Sequence, residues 1–332
     1  MRKMMIGMMA LAAVAAEAQT RTQVIALEKG WNAVWLEVQP GVASPGDVFN
    51  GALVDIVAGY VKPVSEAQFA KNTAVNVQAL SGWNVWYAPH RADAPLSRLH
   101  GMGSGMGYLV HALEAAVVEV RGTVEPAELR WTPNRFNLAG FAVAAQGGPT
   151  FKQLFEASPA HNHNKIYRLA NGAWRQVLQP DAEAPRPGEA FWIWCEGGSS
   201  YQGPLYVKAN SPTGMVLGGD EPAGLEFGNA SLHPLTFTLG LVVDDANEDI
   251  PLAVMVKTVA PEAEGFQGLV DVPVEFPAGA WTQAFPEYGP GDGVLLPLAL
   301  RKKEMSQGKH KGLLKVETDL GTLAWVPVWA GE

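Results

Sequence analysis

The pair Trp31-Asn32 recurs 105 residues later as Phe136-Asn137. An internal repeat has to be found before any fold is named, because every later boundary depends on it. Each pair opens a strand-like run, Ala33-Val34-Trp35-Leu36 in the first copy and Leu138-Ala139-Gly140-Phe141 in the second. The helix-start signal Ser44-x-x-Asp47 recurs as Thr150-x-x-Gln153, and a phenylalanine follows each cap by five positions, Phe49 and Phe155. An N-cap fixes where its helix begins, so equal spacing predicts equal placement. Tyr60 is matched to Tyr167, and Gly107-Tyr108-Leu109-Val110 to Ala190-Phe191-Trp192-Ile193. The first copy carries extra residues around 65–80. Two related β-rich modules with short helices are therefore expected over 23–124 and 125–208.

Within the first copy, residues 23–27 and 31–38 read as a strand pair joined by Glu28-Lys29-Gly30. Alternation places Trp31, Ala33 and Trp35 on one face and Asn32, Val34 and Leu36 on the other, so both faces are expected to be covered. Asn32 and Asn137, each following an aromatic residue, are expected to hydrogen-bond backbone in both copies. From Asn210 the texture changes to seven alternating runs, 224–227, 235–243, 252–257, 280–284, 293–300, 312–317 and 322–328. Seven short strands separated by turns are the pattern of a β-sandwich, here over 210–332. With 36 glycines and 24 prolines punctuating 332 residues, long helices are disfavoured and the chain reads as mainly β.

The first 18 residues read as a secretory signal peptide: Arg2-Lys3, an apolar run over 4–16, then Ala16-Glu17-Ala18 as the small-x-small cleavage signal. Removing two positive charges and one negative takes the formal charge from −9 to −10. So acidic a chain repels phosphate, and no nucleic-acid partner is expected. No segment after the cleavage site is long and apolar enough for an integral membrane span. Cys195 is the single cysteine, so no intramolecular disulfide can form. Bacterial export, to the periplasm or the extracellular space, is the expected destination.

Two segments carry a resemblance. Leu27-Glu28-Lys29-Gly30-Trp31-Asn32, with the later Gly105-Met106-Gly107-Tyr108, resembles the glycine-tryptophan-asparagine repeats of large secreted bacterial surface proteins. Gly224-Leu225-Glu226-Phe227-Gly228-Asn229 resembles the opening strand of the immunoglobulin-like domains attached to them. The second copy departs from the repeat pattern, with Arg135-Phe136-Asn137 in place of glycine and tryptophan. The resemblance implies an immunoglobulin-like sandwich at the C-terminal end, and an extracellular, non-catalytic module with a protein or glycan partner at a cell surface.

A search for chemistry finds no nucleophile elbow, phosphate loop, His-Glu-x-x-His helix or paired Cys-x-x-Cys. His161-Asn162-His163 is the one close histidine pair, and its Pro159, Asn162 and Asn164 setting reads as a solvated loop. Asp244, Asp245, Asn247 and Asp249 concentrate oxygen ligands suited to calcium, although with Asp245 first, Ile250 and Val256 stand where an EF-hand requires glycine and glutamate. An acidic solvated turn is the first expectation for this loop and calcium binding the alternative; no cofactor is otherwise expected. Trp83, Trp86 and Tyr87, or Trp192 and Trp194, are read first as filling small β cores, with a platform on which sugar rings stack as the alternative. The expected function is thus that of a secreted structural or adhesive surface protein that is not an enzyme, with carbohydrate binding through those aromatic residues as the alternative.

Overall fold

A computed structural model describes residues 19–41, 44–51, 53–60, 82–126, 128–163, 165–218, 221–259, 269–276, 282–284 and 287–331. Residues 1–18, read from sequence as a signal peptide, and residues 65–80, read as an insertion, lie outside them. The chain is mainly β, in largely antiparallel sheets joined by turns, with two short α-helices and two 3-10 turns among the described residues. The first part comprises β1 (Thr20–Leu27), β2 (Gly30–Leu36), α1 (Pro45–Val48), β3 (Val54–Tyr60), β4 (Trp83–Tyr87), β5 (Met106–Ala112) and β6 (Ala116–Thr123). It forms a four-stranded sheet in the order β2-β5-β3-β4 and a separate β1-β6 ribbon. The second comprises β7 (Arg135–Ala139), α2 (Phe151–Phe155), β8 (Ile166–Ala170), β9 (Ala173–Gln176) and β10 (Phe191–Cys195), in the order β7-β10-β8-β9. In each four-stranded sheet the first strand lies beside the last, followed by the second and third.

The same local devices set both helix starts. The Ser44 hydroxyl accepts from Asp47 N at 3.3 Å while the Asp47 carboxylate accepts from Ser44 N at 3.0 Å. Thr150 Oγ1 likewise accepts from Gln153 N at 3.2 Å and Gln153 Oε1 from Thr150 N at 2.9 Å. Both are capping boxes, each satisfying amides that a helix end otherwise leaves unpaired. Phe49 and Phe155 are both buried. Ser44→Ala and Thr150→Ala are each expected to lower stability by about 1 kcal/mol in urea unfolding; no change in either variant would deny the caps a role.

Asn32 and Asn137 bracket their turns in the same way. Asn32 Oδ1 accepts from Glu28 N at 2.8 Å, and its Nδ2 donates to Glu28 O at 2.8 Å and Gly30 O at 3.0 Å. Asn137 Oδ1 accepts from Thr132 N at 2.8 Å, and its Nδ2 donates to Thr132 O at 3.2 Å and Arg135 O at 3.1 Å. Strand register corrects one match. Gly59 pairs with Tyr108 as Arg168 pairs with Phe191, so Tyr60 corresponds to Leu169, and Tyr167 to Ala58. The slip of two residues leaves the face unchanged, because side chains alternate with a period of two.

The two four-stranded sheets share a core. Ala33, Trp35, Trp83, Val85 and Leu109 from the first meet Trp174, Trp192 and their neighbours from the second. Backbone joins them as well, Trp35 N donating to Gly188 O at 2.8 Å and Ala190 N to Ala33 O at 3.0 Å. Their approach is close enough that a Cβ on Gly140 would lie 2.6 Å from Trp35 Cβ and 2.5 Å from Glu189 O, which only glycine avoids. The opposite face of the first sheet, with Val34, Leu36, Tyr108 and Val110, is covered by the ribbon and by Val48 and Phe49. Both faces of β2 are thus occupied, as its mixed pattern predicts.

The rest of the chain is a β-sandwich: β11 (Leu205–Lys208), β12 (Met215–Leu217), β13 (Ala223–Asn229), β14 (Phe237–Val242), β15 (Leu252–Val259), β16 (Leu269–Glu275), β17 (Thr282–Ala284), β18 (Gly293–Leu300), β19 (His310–Thr318) and β20 (Leu323–Ala330). Its two five-stranded sheets run β11-β13-β18-β15-β16 and β12-β20-β19-β14-β17, with Phe227, Phe237, Leu298 and Val328 between them. Three of these strands add to the seven anticipated. β11, placed by sequence in the second module, pairs with β13 of the sandwich, and so short a strand has no period to announce its partner. β16 contains Pro273, which argues against a strand; β16 is an edge, where a missing donor is tolerated.

The parts are tied together through buried polar groups. Gln19 Nε2 donates to Val328 O at 2.8 Å and Asn247 Nδ2 to Thr20 O at 2.9 Å. Arg21 pairs with Glu37 and lies 4.6 Å over the Trp325 ring. Leu323 N donates to Ala142 O at 3.0 Å and Ala144 N to Gly321 O at 2.8 Å. Among the described residues no helix is long and apolar enough to cross a membrane.

Candidate functional site

Most of the aromatic residues singled out by sequence lie inside the molecule. Trp83 and Tyr87 alternate with Trp86 along β4, so the first two point into the shared core and are buried, while Trp86 faces α1 and lies against Gly46. Trp192 is 1% exposed, its ring centroid 5.0 Å from Tyr60, 6.4 Å from Trp83 and 6.0 Å from Trp174. Trp194 is half-buried, 5.2 Å from Phe136, with the Lys165 amine 5.0 Å over its ring. Trp83, Tyr87 and Trp192 therefore offer no face to a sugar. They fill a core, as first expected, and the alternative of a sugar platform is excluded for these three because the face they share is the one the second sheet covers.

The acidic loop is folded as a turn. Asp244 Oδ1 accepts from Ala246 N at 2.9 Å, Asn247 N at 2.9 Å and Asn247 Nδ2 at 2.8 Å. The best-placed carboxylate oxygen thus closes an Asx-type turn, and the Asn247 amide, which is buried, also ties the loop to Thr20. Asp245 and Asp249 are exposed. Among the described residues no three His, Cys, Asp or Glu side chains group to hold a metal.

The histidine pair divides. His163 is exposed and meets Glu196 at 3.1 Å, as a solvated residue should. His161 is 2% exposed, contrary to expectation. Its ring centroid lies 4.0 Å from that of Trp131 at a 44° tilt, beside Phe155 and Tyr201, and its Nδ1 meets Ser158 Oγ at 2.7 Å. Burial pulls its pKa down to about 4.

A polar cluster with no sequence motif lies at the end of the first sheet. A bulge between Val54 and Ile56 breaks the alternation of β3 at Asp55, whose side chain is 6% exposed. Bulges re-aim a side chain in this way. One Asp55 oxygen lies 2.6 Å from His111 Nδ1 on β5, and the other accepts from Arg91 Nη1 at 2.6 Å. Arg91 Nε and Nη2 donate to the two oxygens of Asp93 at 2.8 and 3.0 Å. This bidentate pairing raises the Arg91 pKa and lowers that of Asp93. The guanidinium rests 5.6 Å from the Tyr87 ring, and Trp31 meets His111 edge-on at 5.1 Å. A carboxylate only accepts, so Nδ1 is the donor to Asp55 and Nε2 is directed away from it. The one local signal was Asp55 itself, a carboxylate within the apolar run Val54 to Ala58.

No family model and no curated protein matches the chain. Among solved structures, the chain is similar to Escherichia coli alpha-2-macroglobulin activated by porcine elastase, at 10% sequence identity and a TM-score of 0.21, over 95% of this chain. The chain spans 33% of the length of that protein, and the likeness is too low to transfer fold or function.

Proposed function

We propose that the chain is an exported structural or adhesive surface protein without an active site, built from two copies of one module and an immunoglobulin-like sandwich. The observation that carries this reading is the set of polar joints between the parts, Gln19 to Val328, Asn247 to Thr20 and Arg21 over Trp325. Such joints suit a spacer or a scaffold better than an enzyme that must open and close around a substrate. The tandem reading is supported by the shared strand order, the two capping boxes and the matching asparagine brackets. The immunoglobulin-like reading is supported by β11 running antiparallel to β13 in one sheet while β12 runs parallel to β20 in the other, so that the opening of the domain contributes to both sheets.

Expression of the full chain in a bacterial host tests this. The expected product begins at Gln19 and lies outside the cytoplasmic membrane. An uncleaved cytoplasmic chain would overturn export, and turnover of an ester or glycoside panel above the buffer blank would overturn the absence of an active site.

A further inference from the structure

The two four-stranded sheets provide an internal comparison. Trp31 pairs with His111 in the first at the same register position at which Phe136 pairs with Trp194 in the second, next to the bracketing asparagine in each. The ring geometry is also alike: centroids 5.1 Å apart at 63° for Trp31 and His111, 5.2 Å at 69° for Phe136 and Trp194. An apolar pair is therefore sufficient to complete this end of the sheet. The first sheet instead has an imidazole there, backed by a buried carboxylate and an arginine. Burying ions brings little or no net stability relative to apolar packing, so folding does not account for the substitution.

We infer that Trp31, His111, Arg91 and Asp93 form a binding site for a neutral saccharide, with Asp55 as the residue that positions it. This rests on the adhesive reading above and names the class of ligand through which adhesion would occur. Trp31, His111, Ile56 and Tyr87 lie in one cross-strand row, and the side chains of His111, Arg91 and Asp93 are 30%, 31% and 33% exposed. Three of the five guanidinium N–H groups are engaged by Asp55 and Asp93, leaving one on each Nη nitrogen. Those two donors, the Nε2 edge of His111 and the remaining Asp93 lone pairs are held in planar groups, with the half-buried Trp31 indole next to His111.

A sugar ring matches this set. Each hydroxyl both donates and accepts, and its C–H face packs on an aromatic ring. Charge argues against an anion, because the one guanidinium is already balanced by two carboxylates. It also argues against a metal ion, because both Asp55 oxygens and both Asp93 oxygens already accept from Arg91 or lie against His111. Fixing Arg91 and His111 through Asp55 removes the ordering cost that exposed side chains would otherwise add to binding.

A glycan array probed with the full chain, followed by calorimetric titration of any hit, tests the site. The expected result is a reproducible hit whose affinity falls by about tenfold or more in Arg91→Gln and in Trp31→Ala, each removing one contact type. His111→Trp places the apolar pair of the second sheet here and is expected to abolish binding, with a lowered melting temperature because one buried Asp55 oxygen loses its partner. Trp194→Ala is expected to leave binding unchanged. A blank array overturns the site, as does a hit undiminished in Arg91→Gln and Trp31→Ala, or one lost in Trp194→Ala. The export assay reads independently, so a correctly exported chain with a blank array refutes the site and leaves the structural reading standing.

Discussion

Trp192→Ala is expected to destabilise the protein by about 3–5 kcal/mol in urea unfolding, the range for truncating a fully buried large aromatic. Trp192 is 1% exposed and contacts Tyr60 and Trp83 from the first sheet and Trp174 from its own. Both walls of the resulting cavity are hydrogen-bonded sheets, joined further by Trp35 N to Gly188 O and Ala190 N to Ala33 O. Sheets held at that spacing cannot collapse into the hole, so the cavity cost adds in full to the lost burial. Trp86→Ala, on the α1 face and half-buried, should cost clearly less. A Trp192→Ala loss below about 1 kcal/mol would mean that the two sheets do not depend on their shared core.

The same residue shows what sequence can and cannot convey. Alternation within β2 and β4 assigns each aromatic residue to a face, and the structure agrees with that assignment for Trp31, Ala33, Trp35, Val34 and Leu36. Alternation cannot say which face a second sheet will cover, and for that reason Trp83, Tyr87 and Trp192 could be read as a platform. Local devices were legible because their partners lie three to five residues away: Ser44 with Asp47, Thr150 with Gln153, Asn32 with Glu28 and Asn137 with Thr132. Pairings between distant segments were not. β11 finds β13 across the sandwich, and Asp55, Arg91 and His111 come from a bulged strand, a loop and a second strand. No spacing within one segment encodes that meeting, and the bulge at Asp55 breaks the period from which a face would be read.

His161 gives the second large effect, one that depends on pH. Its imidazole lies in a box of Trp131, Phe155 and Tyr201, bonded only to Ser158 Oγ among the described residues, with Nε2 buried and unpartnered. Burial disfavours the charged form and pulls the folded-state pKa down to about 4, whereas an unfolded histidine titrates near about 6.5. Above pH ~6.5 neither state binds the proton and the residue contributes no pH dependence. Between about 6.5 and 4 the unfolded chain binds it and the folded chain does not, so stability falls as the pH falls; below about 4 both are protonated and the loss levels off. The full window is worth roughly 3 kcal/mol. His161→Phe keeps the ring in the box and removes the titration. At pH 7.5 the variant should be somewhat less stable than wild type, because the Ser158 bond is gone. On moving to pH 4, where the surface carboxylates titrate alike in both proteins, the variant should gain about 3 kcal/mol relative to wild type. Ser158→Ala loses the same bond but retains the imidazole, so it should keep the wild-type acid dependence. A stability difference between His161→Phe and wild type that stays constant from pH 7.5 to 4 would show that the imidazole is not held neutral inside the fold.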